Sequence, residues 1–114
     1  FRSGVNMTDT DKIRQLNDIL RTTFTGGRVL TTIGIRSKPV EDVSRILAKV
    51  RSFNKFNKAN DVYGEKDYGS FAFKGDVIIW KIDYYDKNYE FLSENPADPT
   101  ITNRVLTIMT AEEY

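Results

Sequence analysis

The feature that most constrains the fold is the pattern of apolar and polar residues in "SFAFKGDVIIWKIDYYD", residues 70–86. Residues 74–76, Lys-Gly-Asp, have the composition of a tight turn between two apolar segments, which predicts a β-hairpin. Successive side chains of a strand project to opposite faces of the sheet. The face of the second strand that lacks charges is the better core candidate, and it carries Ile78, Trp80, Ile82 and Tyr84.

The rest of the chain predicts three helices and one further strand. Apolar stripes at helical spacing, acidic residues in first turns, and glycine or proline at the boundaries indicate the helices. β-branched residues bounded by glycines indicate the strand. In chain order the elements are a helix that begins near Thr8, Asp9 or Thr10 and stops at Gly26-Gly27, a strand at Arg28–Ile35, a helix at 39–53, and a helix at 101–114.

Together with the hairpin, these elements give the order α-β-α-β-β-α. We expect a small α+β domain in which a three-stranded, mostly antiparallel sheet packs with about three helices. The polar connections 54–69 and 86–99 are long, and such loops in compact domains are usually functional or mobile. Residues 1–6 resemble a remnant of an expression vector, so we expect a single domain over residues 7–114.

The absence of histidine and cysteine excludes several kinds of chemistry. Nucleophile systems of the Ser-His-Asp or Cys-His type cannot form, and zinc, iron and copper lose their preferred ligands. We expect no metal and no cofactor. Every apolar run is shorter than the roughly 18 residues of a membrane span, and the sequence shows no secretory signal, so we expect a cytoplasmic protein without a membrane partner.

Charge is distributed unevenly along the chain. Residues 1–60 contain 12 Lys and Arg against 5 Asp and Glu, a net of +7, whereas residues 61–114 contain 5 against 11, a net of −6. Such an asymmetry can mark a partner-binding surface. The alternative, in which the two halves pack so that opposite charges become neighbours, is favoured.

The stretch "ANDVYGEKDYGSFAF", residues 59–73, concentrates acids, tyrosines and glycines ahead of an apolar run. Its three acids could hold a hard cation, but it lacks the ligand ladder and the closing glutamate of a calcium loop, and an interleaved lysine lowers cation affinity. A capped turn or a partner-contacting loop is therefore the favoured interpretation. The candidate binding residues are Asp61, Glu65, Lys66, Asp67 and Tyr68.

Asp67 and Asp83 make the strongest case for an enzyme. If Phe73 faces Val77 across the turn, Asp83 falls roughly opposite Asp67. Two carboxylates at one end of a sheet could act as acid and base in a hydrolase. The favoured alternative is a solvent-facing sheet edge whose charges oppose aggregation.

The stretch "SRILAKVRSFNKFNKAN", residues 44–60, is basic and has two interleaved aromatic residues. Basic side chains neutralise phosphates and aromatic rings stack on unpaired bases, so nucleic-acid binding is possible. In the alternative interpretation, Phe53 continues the core stripe of its helix and Phe56 pins the loop to the domain. The candidate binding residues are Lys49, Arg51, Lys55 and Lys58.

Three blocks of the second half, "NDVYGEKDYGSFAF", "WKIDYYDKNYE" and "ENPADPTITNRVLTIMTAEEY", resemble the bacterial family called domain of unknown function 3768. The N-terminal "DKIRQLNDILRTTFTGGRVLTTIGI" fits the same family, so the resemblance extends over nearly everything from Met7 onward. The family commonly has a histidine where this chain has Lys66, and a proline where it has Val62. This departure argues against an active site in the loop.

The resemblance carries no established activity. Members of the family resemble accessory proteins of plasmids, phages and integrated elements. This implies a small non-enzymatic interaction module that binds a macromolecule of the host or of the element, for example as an antagonist of host defence. A protein partner is expected first and nucleic acid second. Arg104 could pair with Asp98 or Asp83 and lock the C-terminal helix onto the sheet.

Overall fold

The structure, a computed structural model, describes residues 7–114, so the prediction for residues 1–6 lies outside the described part. The described residues form four strands and three helices, followed by a 3-10 turn. In chain order they are helix α1 (Asp9–Thr23), strand β1 (Arg28–Thr31), helix α2 (Ile33–Arg36), helix α3 (Val40–Arg51), strands β2 (Tyr68–Phe73), β3 (Asp76–Tyr85) and β4 (Asn103–Thr110), and the turn Ala111–Glu113.

The four strands form one mixed sheet in the spatial order β1-β4-β3-β2. β4 pairs in parallel with β1 and antiparallel with β3, and β2 and β3 form the antiparallel hairpin. The α+β class is therefore confirmed. The prediction of three strands in a mostly antiparallel sheet was wrong in detail, because it omitted the central strand.

That omitted strand is β4, since the predicted helix over residues 101–114 was wrong. Val105, Ile108 and Met109 fit one face of a helix, but Leu106 is buried as well. A strand that lies between two others and is covered on both faces shows no simple alternation of apolar and polar residues. Its apolar run therefore fits a helix and a strand equally well, and only the pairing with β1 and β3 decides between them.

The first strand is shorter than predicted. It ends at Thr31, and Ile33–Arg36 forms the single helical turn α2, whose Arg36 N–H donates to the Thr32 carbonyl at 2.9 Å. Ile35 is fully buried in this turn. The third helix of the structure is thus this short turn.

Helices α1 and α3 form as their patterns predict. Thr8 begins α1 with a capping box, in which its side chain and that of Asp11 each accept from the other's backbone N–H. The apolar stripe of α3 buries Ile46 and Val50 completely. Among the described residues, no helix has the length and apolarity needed to cross a membrane.

A buried arginine joins the two long helices. Arg21 is 5% exposed, and its Nη1 donates to the carbonyls of Val50, Arg51 and Phe53 at 3.2, 3.2 and 2.9 Å. These carbonyls lie at the C-terminal end of α3, where unpaired acceptors and the negative end of the helix dipole favour a cation. Arg21 therefore fixes α1 against the end of α3.

The hairpin turn has two residues, Lys74 and Gly75, with φ of 48° and 86°. Positive φ at both positions is typical of a type I′ turn, which matches the twist of the flanking strands. Phe73 consequently pairs with Asp76, and the predicted pairing of Phe73 with Val77 was wrong by one residue.

The core lies between the sheet and the helices α1 and α3. The predicted core face of β3 is confirmed, because Ile78, Trp80 and Ile82 are at most 3% exposed. Trp80 lies over Gly69 of β2 so closely that a Cβ at Gly69 would be 2.4 Å from the Trp80 Nε1. The glycine of the "DYGSF" segment therefore makes room for the indole.

We expect Gly69→Ala to lower the free energy of unfolding by about 1–3 kcal/mol, because the added methyl overpacks the contact with Trp80. Urea unfolding followed by tryptophan fluorescence measures this difference. Ser70→Ala, at the exposed neighbouring position, is the control. A Gly69→Ala protein as stable as the control would show that the indole moves aside at no cost.

The C-terminal turn is held to α2 by one carboxylate. Glu113 accepts from the Thr32 hydroxyl at 2.5 Å and from the N–H groups of Gly34 and Thr110, each at 2.9 Å. These bonds, the Thr32 bond foremost, lower the pKa of Glu113 from 4.5 to about 2. The ionised carboxylate therefore stabilises the folded state.

We expect Glu113→Gln to be less stable than the unaltered protein at neutral pH. The folded-state pKa lies below the unfolded value, so the contribution is fully present above about pH 4.5 and is lost as the pH falls toward 2. Unfolding in urea between about pH 7 and pH 3 should show the difference shrinking. Glu112→Gln is the matched control, and a difference that does not change with pH would contradict the prediction.

Candidate functional site

The predicted acidic loop is ordered by bonds to its own backbone and to α1. Asp61 Oδ1 accepts from the Lys66 N–H at 2.9 Å, and Arg14 Nη1 donates to the Gly64 carbonyl at 3.0 Å. Lys66 has φ 52°, and its Nζ lies 5.1 Å from the centre of the Phe56 ring. Two of the predicted binding residues, Asp61 and Lys66, thus make structural contacts within or beside the loop.

A polar network under this loop connects α1, β3 and β4. Asn17, which is fully buried, donates from Nδ2 to the Tyr84 hydroxyl at 2.7 Å and to the Glu65 carbonyl at 3.1 Å. Tyr84 donates to Glu65 Oε1 at 2.8 Å. Arg104 Nε donates to Asn17 Oδ1 at 3.0 Å. Burial raises the pKa of Tyr84, so its phenol stays protonated and serves as a hydrogen-bond donor.

The structure does not bring Arg104 together with Asp98 or Asp83. Asp98 Oδ1 accepts from the N–H and the hydroxyl of Thr100, which lower the pKa of its carboxyl. Asp83 pairs with Lys81 at 2.8 Å, and this hydrogen bond raises the pKa of Lys81. Arg104 lies in a strand and bonds Asn17 and the Pro96 carbonyl instead.

Asp67 and Asp83 lie on opposite sides of the sheet. The Ile82 N–H donates to the Asp67 carbonyl at 2.8 Å, so the hairpin register continues and sets Asp67 across from Ile82. Asp67 therefore shares the helix-covered side with Ile82, and Asp83 shares the other side with Lys81. A shift of one residue in the register turns the whole set of side chains to the other face. The convergence expected of a catalytic pair is not formed.

Asp67 is nevertheless the most perturbed acid of the loop. Burial raises the pKa of its carboxyl, and the charges of Glu65, Asp61 and Asp83 raise it further. Among residues 7–114, the structure contains no group of three or more acidic side chains close enough to hold a metal.

The predicted basic segment is exposed, and its aromatic residues are not. Phe53 and Phe56 pack edge-on against Trp80, with ring centres 5.6 and 6.1 Å away. This bears out the structural interpretation of both rings and leaves neither ring free to stack on a base. The four cationic side chains are all exposed: Lys49, Arg51, Lys55 and Lys58. Tyr68 lies in β2, half-buried, with its ring 6.2 Å from that of Tyr114.

A further surface was missed in the sequence. Phe91 and Leu92 are 73% and 74% exposed in the connection between β3 and β4. Asp86 orders this connection, because its Oδ1 accepts from the N–H groups of Asn88 and Glu90 at 3.1 and 3.0 Å. Two adjacent large apolar residues in an otherwise polar loop were the signal that could have found this surface.

Comparison with known proteins identifies a family and no closer relative. Residues 31–113 match the model of the family described as "Protein of unknown function (DUF3768)", and the chain belongs to this family. The match includes the three motif blocks of the second half and begins after most of the N-terminal block. No curated protein and no solved structure matches significantly.

We expect Asp67→Asn to raise the melting temperature at neutral pH. Because the folded-state pKa of Asp67 is above its ordinary value of 3.8, the ionised carboxylate destabilises the folded state at neutral pH, and this cost disappears when the pH falls below 3.8. Thermal unfolding from about pH 7 to pH 3 measures the gain. Asp83→Asn, which breaks the ion pair with Lys81, is the control. A loss of stability in Asp67→Asn would contradict the prediction.

Proposed function

We propose that this member of the DUF3768 family is a non-enzymatic interaction module that binds another protein through the Phe91–Leu92 surface. The observation that carries the proposal is the exposure of these two side chains, at 73% and 74%, on an ordered loop. Large apolar side chains that are exposed together mark interaction sites more often than isolated ones do.

Backbone hydrogen bonds order the loop that carries Phe91 and Leu92. The Asp86 N–H donates to the Phe91 carbonyl at 2.8 Å, and the Ser93 N–H donates to the Tyr84 carbonyl at 3.0 Å. Leu92 also forms a bridge to Tyr85 at the end of β3. A surface that is ordered before binding loses less conformational entropy on association, so its apolar contacts convert more fully into affinity.

The charged residues near Phe91 and Leu92 indicate the kind of partner protein that would bind there. Asp86 and Glu94, together with Lys87 and Ile101, surround Phe91 and Leu92, and Glu90 precedes them in the chain. Residues 86–98 contain four acids and one lysine. Charge complementarity favours a partner protein with an apolar pocket bordered by basic residues.

Two observations weigh against the hydrolase alternative. Asp67 and Asp83 lie on opposite sides of the sheet, and Glu65 is occupied by the Tyr84 hydroxyl. A general acid and a general base must both reach the same substrate. A role in a plasmid, phage or integrated element, and a location in the cytoplasm, belong to the proposal as the setting that the family resemblance implies.

Nucleic-acid binding is the second candidate. Lys49, Lys55 and Lys58 are exposed and form no ion pair within the described part of the chain. Because Phe53 and Phe56 are packed against Trp80, such binding would use phosphate contacts alone and would depend steeply on salt.

The test is affinity capture from a lysate of the source organism, followed by titration of the captured protein. Phe91→Ser combined with Leu92→Ser should weaken binding by about 30-fold or more, the effect of removing an interface hot spot of about 2 kcal/mol. Because both side chains are exposed, the free energy of unfolding should change by less than about 0.5 kcal/mol.

The matched control is Val62→Ser combined with Tyr63→Ser, an adjacent aliphatic and aromatic pair that is 69% and 81% exposed on another loop. Equal binding by both double variants would refute the assignment of the surface. Binding of double-stranded DNA that falls steeply with salt, and that is lost in Lys55→Gln with Lys58→Gln, would favour the second candidate.

A further inference from the structure

Among the described residues, a cleft at the end of the sheet is lined by three cations and no carboxylate. It lies between the α1–β1 connection at Gly26-Gly27, the β3–β4 connection at Lys87, and the first residues of β4. Arg28, Lys87 and Arg104 all contribute to its wall. The cleft has a volume of about 250 Å³, which is room for a small ligand.

Arg104 is a buried charge with only neutral partners. It is 3% exposed, its Nε and Nη2 donate to Asn17 Oδ1 and the Pro96 carbonyl, and its guanidinium lies 5.3 Å from the centre of the Tyr84 ring. Within residues 7–114, no carboxylate lies within 4.0 Å of it, and its Nη1, which the protein does not fully enclose, makes no hydrogen bond. A buried charge is normally paired, since desolvation costs several kcal/mol.

Arg28 and Lys87 line the exposed mouth of the cleft. The Arg28 guanidinium lies 4.7 Å from the centre of the Tyr89 ring, and Lys87 Nζ lies 3.3 Å from Asn103 Oδ1. Neither cation forms an ion pair within the described range. The hydrogen bonds from Thr100, and to a smaller extent the charge of Lys87, lower the pKa of Asp98.

Gly26 and Gly27 of the α1–β1 connection line the cleft without contributing a side chain to it. A Cβ at Gly27 would lie 2.6 Å from the Arg104 carbonyl oxygen, so only glycine allows the α1–β1 connection to approach β4 this closely. Gly26 has φ 83°, a conformation that side chains disfavour. The close approach places the cleft directly against Arg104.

We propose that this cleft binds the phosphate group of a small ligand. Among the described residues the cleft is lined by three cations and no carboxylate, and Glu65 acts on Arg104 from outside the lining. This excess of positive charge suits a phosphomonoester, which carries roughly −1.5 to −2 at neutral pH. A guanidinium donates to phosphate oxygens with a geometry that few other side chains match. The phosphate would give Arg104 the directly bonded anionic partner that residues 7–114 do not provide.

The experiment is a titration of the ¹⁵N-labelled protein with inorganic phosphate and, separately, with glycerol 3-phosphate, at constant ionic strength set by sodium chloride. The amides of Gly26 and Gly27 should shift with saturation, at a Kd on the order of millimolar or below. Tighter binding of glycerol 3-phosphate would identify an ester as the ligand class, and equal binding would identify free phosphate.

Arg28→Gln combined with Lys87→Gln should weaken binding at least about tenfold, which is about 1.4 kcal/mol. Both side chains are exposed, so the variant keeps the fold; Arg104 is left intact because its loss would leave Asn17 without its partner. Lys55→Gln combined with Lys58→Gln changes the net charge equally and should bind as the unaltered protein does.

Two results would overturn the proposal. One is the absence of saturable shifts at Gly26 and Gly27 up to about 50 mM phosphate, a concentration far above the expected Kd. The other is equal weakening in the two double variants, which would show a general charge effect. Lys87 borders both surfaces, but the phosphate titration does not involve the Phe91 and Leu92 side chains, so either proposal can fail while the other stands.

Discussion

The structure depends on the placement of β4 between β1 and β3. This strand makes the parallel pairing with β1 and the longer antiparallel pairing with β3, so it joins the N-terminal and C-terminal halves of the chain. Without it, β1 would have no partner in the sheet and the hairpin of β2 and β3 would stand alone, and an isolated hairpin is marginally stable in water. The core around Trp80 and Leu106 forms only because β4 is an inner strand of the sheet.

The same strand carries Arg104, one of the two buried arginines of the described residues. Arg104 lies on β4, and its Nε donates a hydrogen bond to the side-chain oxygen of Asn17 on α1. The amide of Asn17 then donates to Tyr84, and Tyr84 donates to Glu65, so a single chain of hydrogen bonds orders the helix, the sheet and the acidic loop. A network of this kind specifies one arrangement of its elements, because every lost bond leaves a buried polar group unpaired.

Asp61, Glu65 and Lys66 of the acidic loop are therefore bonded within the fold, and the two binding regions that we propose lie elsewhere. One is apolar, the Phe91–Leu92 surface, and the other is the cationic cleft beside Arg104. Both adjoin the connection between β3 and β4, which Asp86 orders through its own backbone bonds. Ordered connections between rigid strands are common locations of binding residues.

The sequence by itself determined the elements whose signals are local. The hairpin, the start of α1 near Thr8, Asp9 or Thr10 and the buried stripe of α3 follow from spacing and end residues alone, since neighbours within one turn or one strand produce them. Tertiary structure decided the rest. β4 has apolar residues at helical spacing and becomes a strand through pairing with distant residues. The hairpin register differs by one residue from the predicted one, and this difference places Asp67 and Asp83 on opposite sides of the sheet. The partner of Arg104 is 87 positions away in the sequence, and contacts over such distances exist only once the chain is folded.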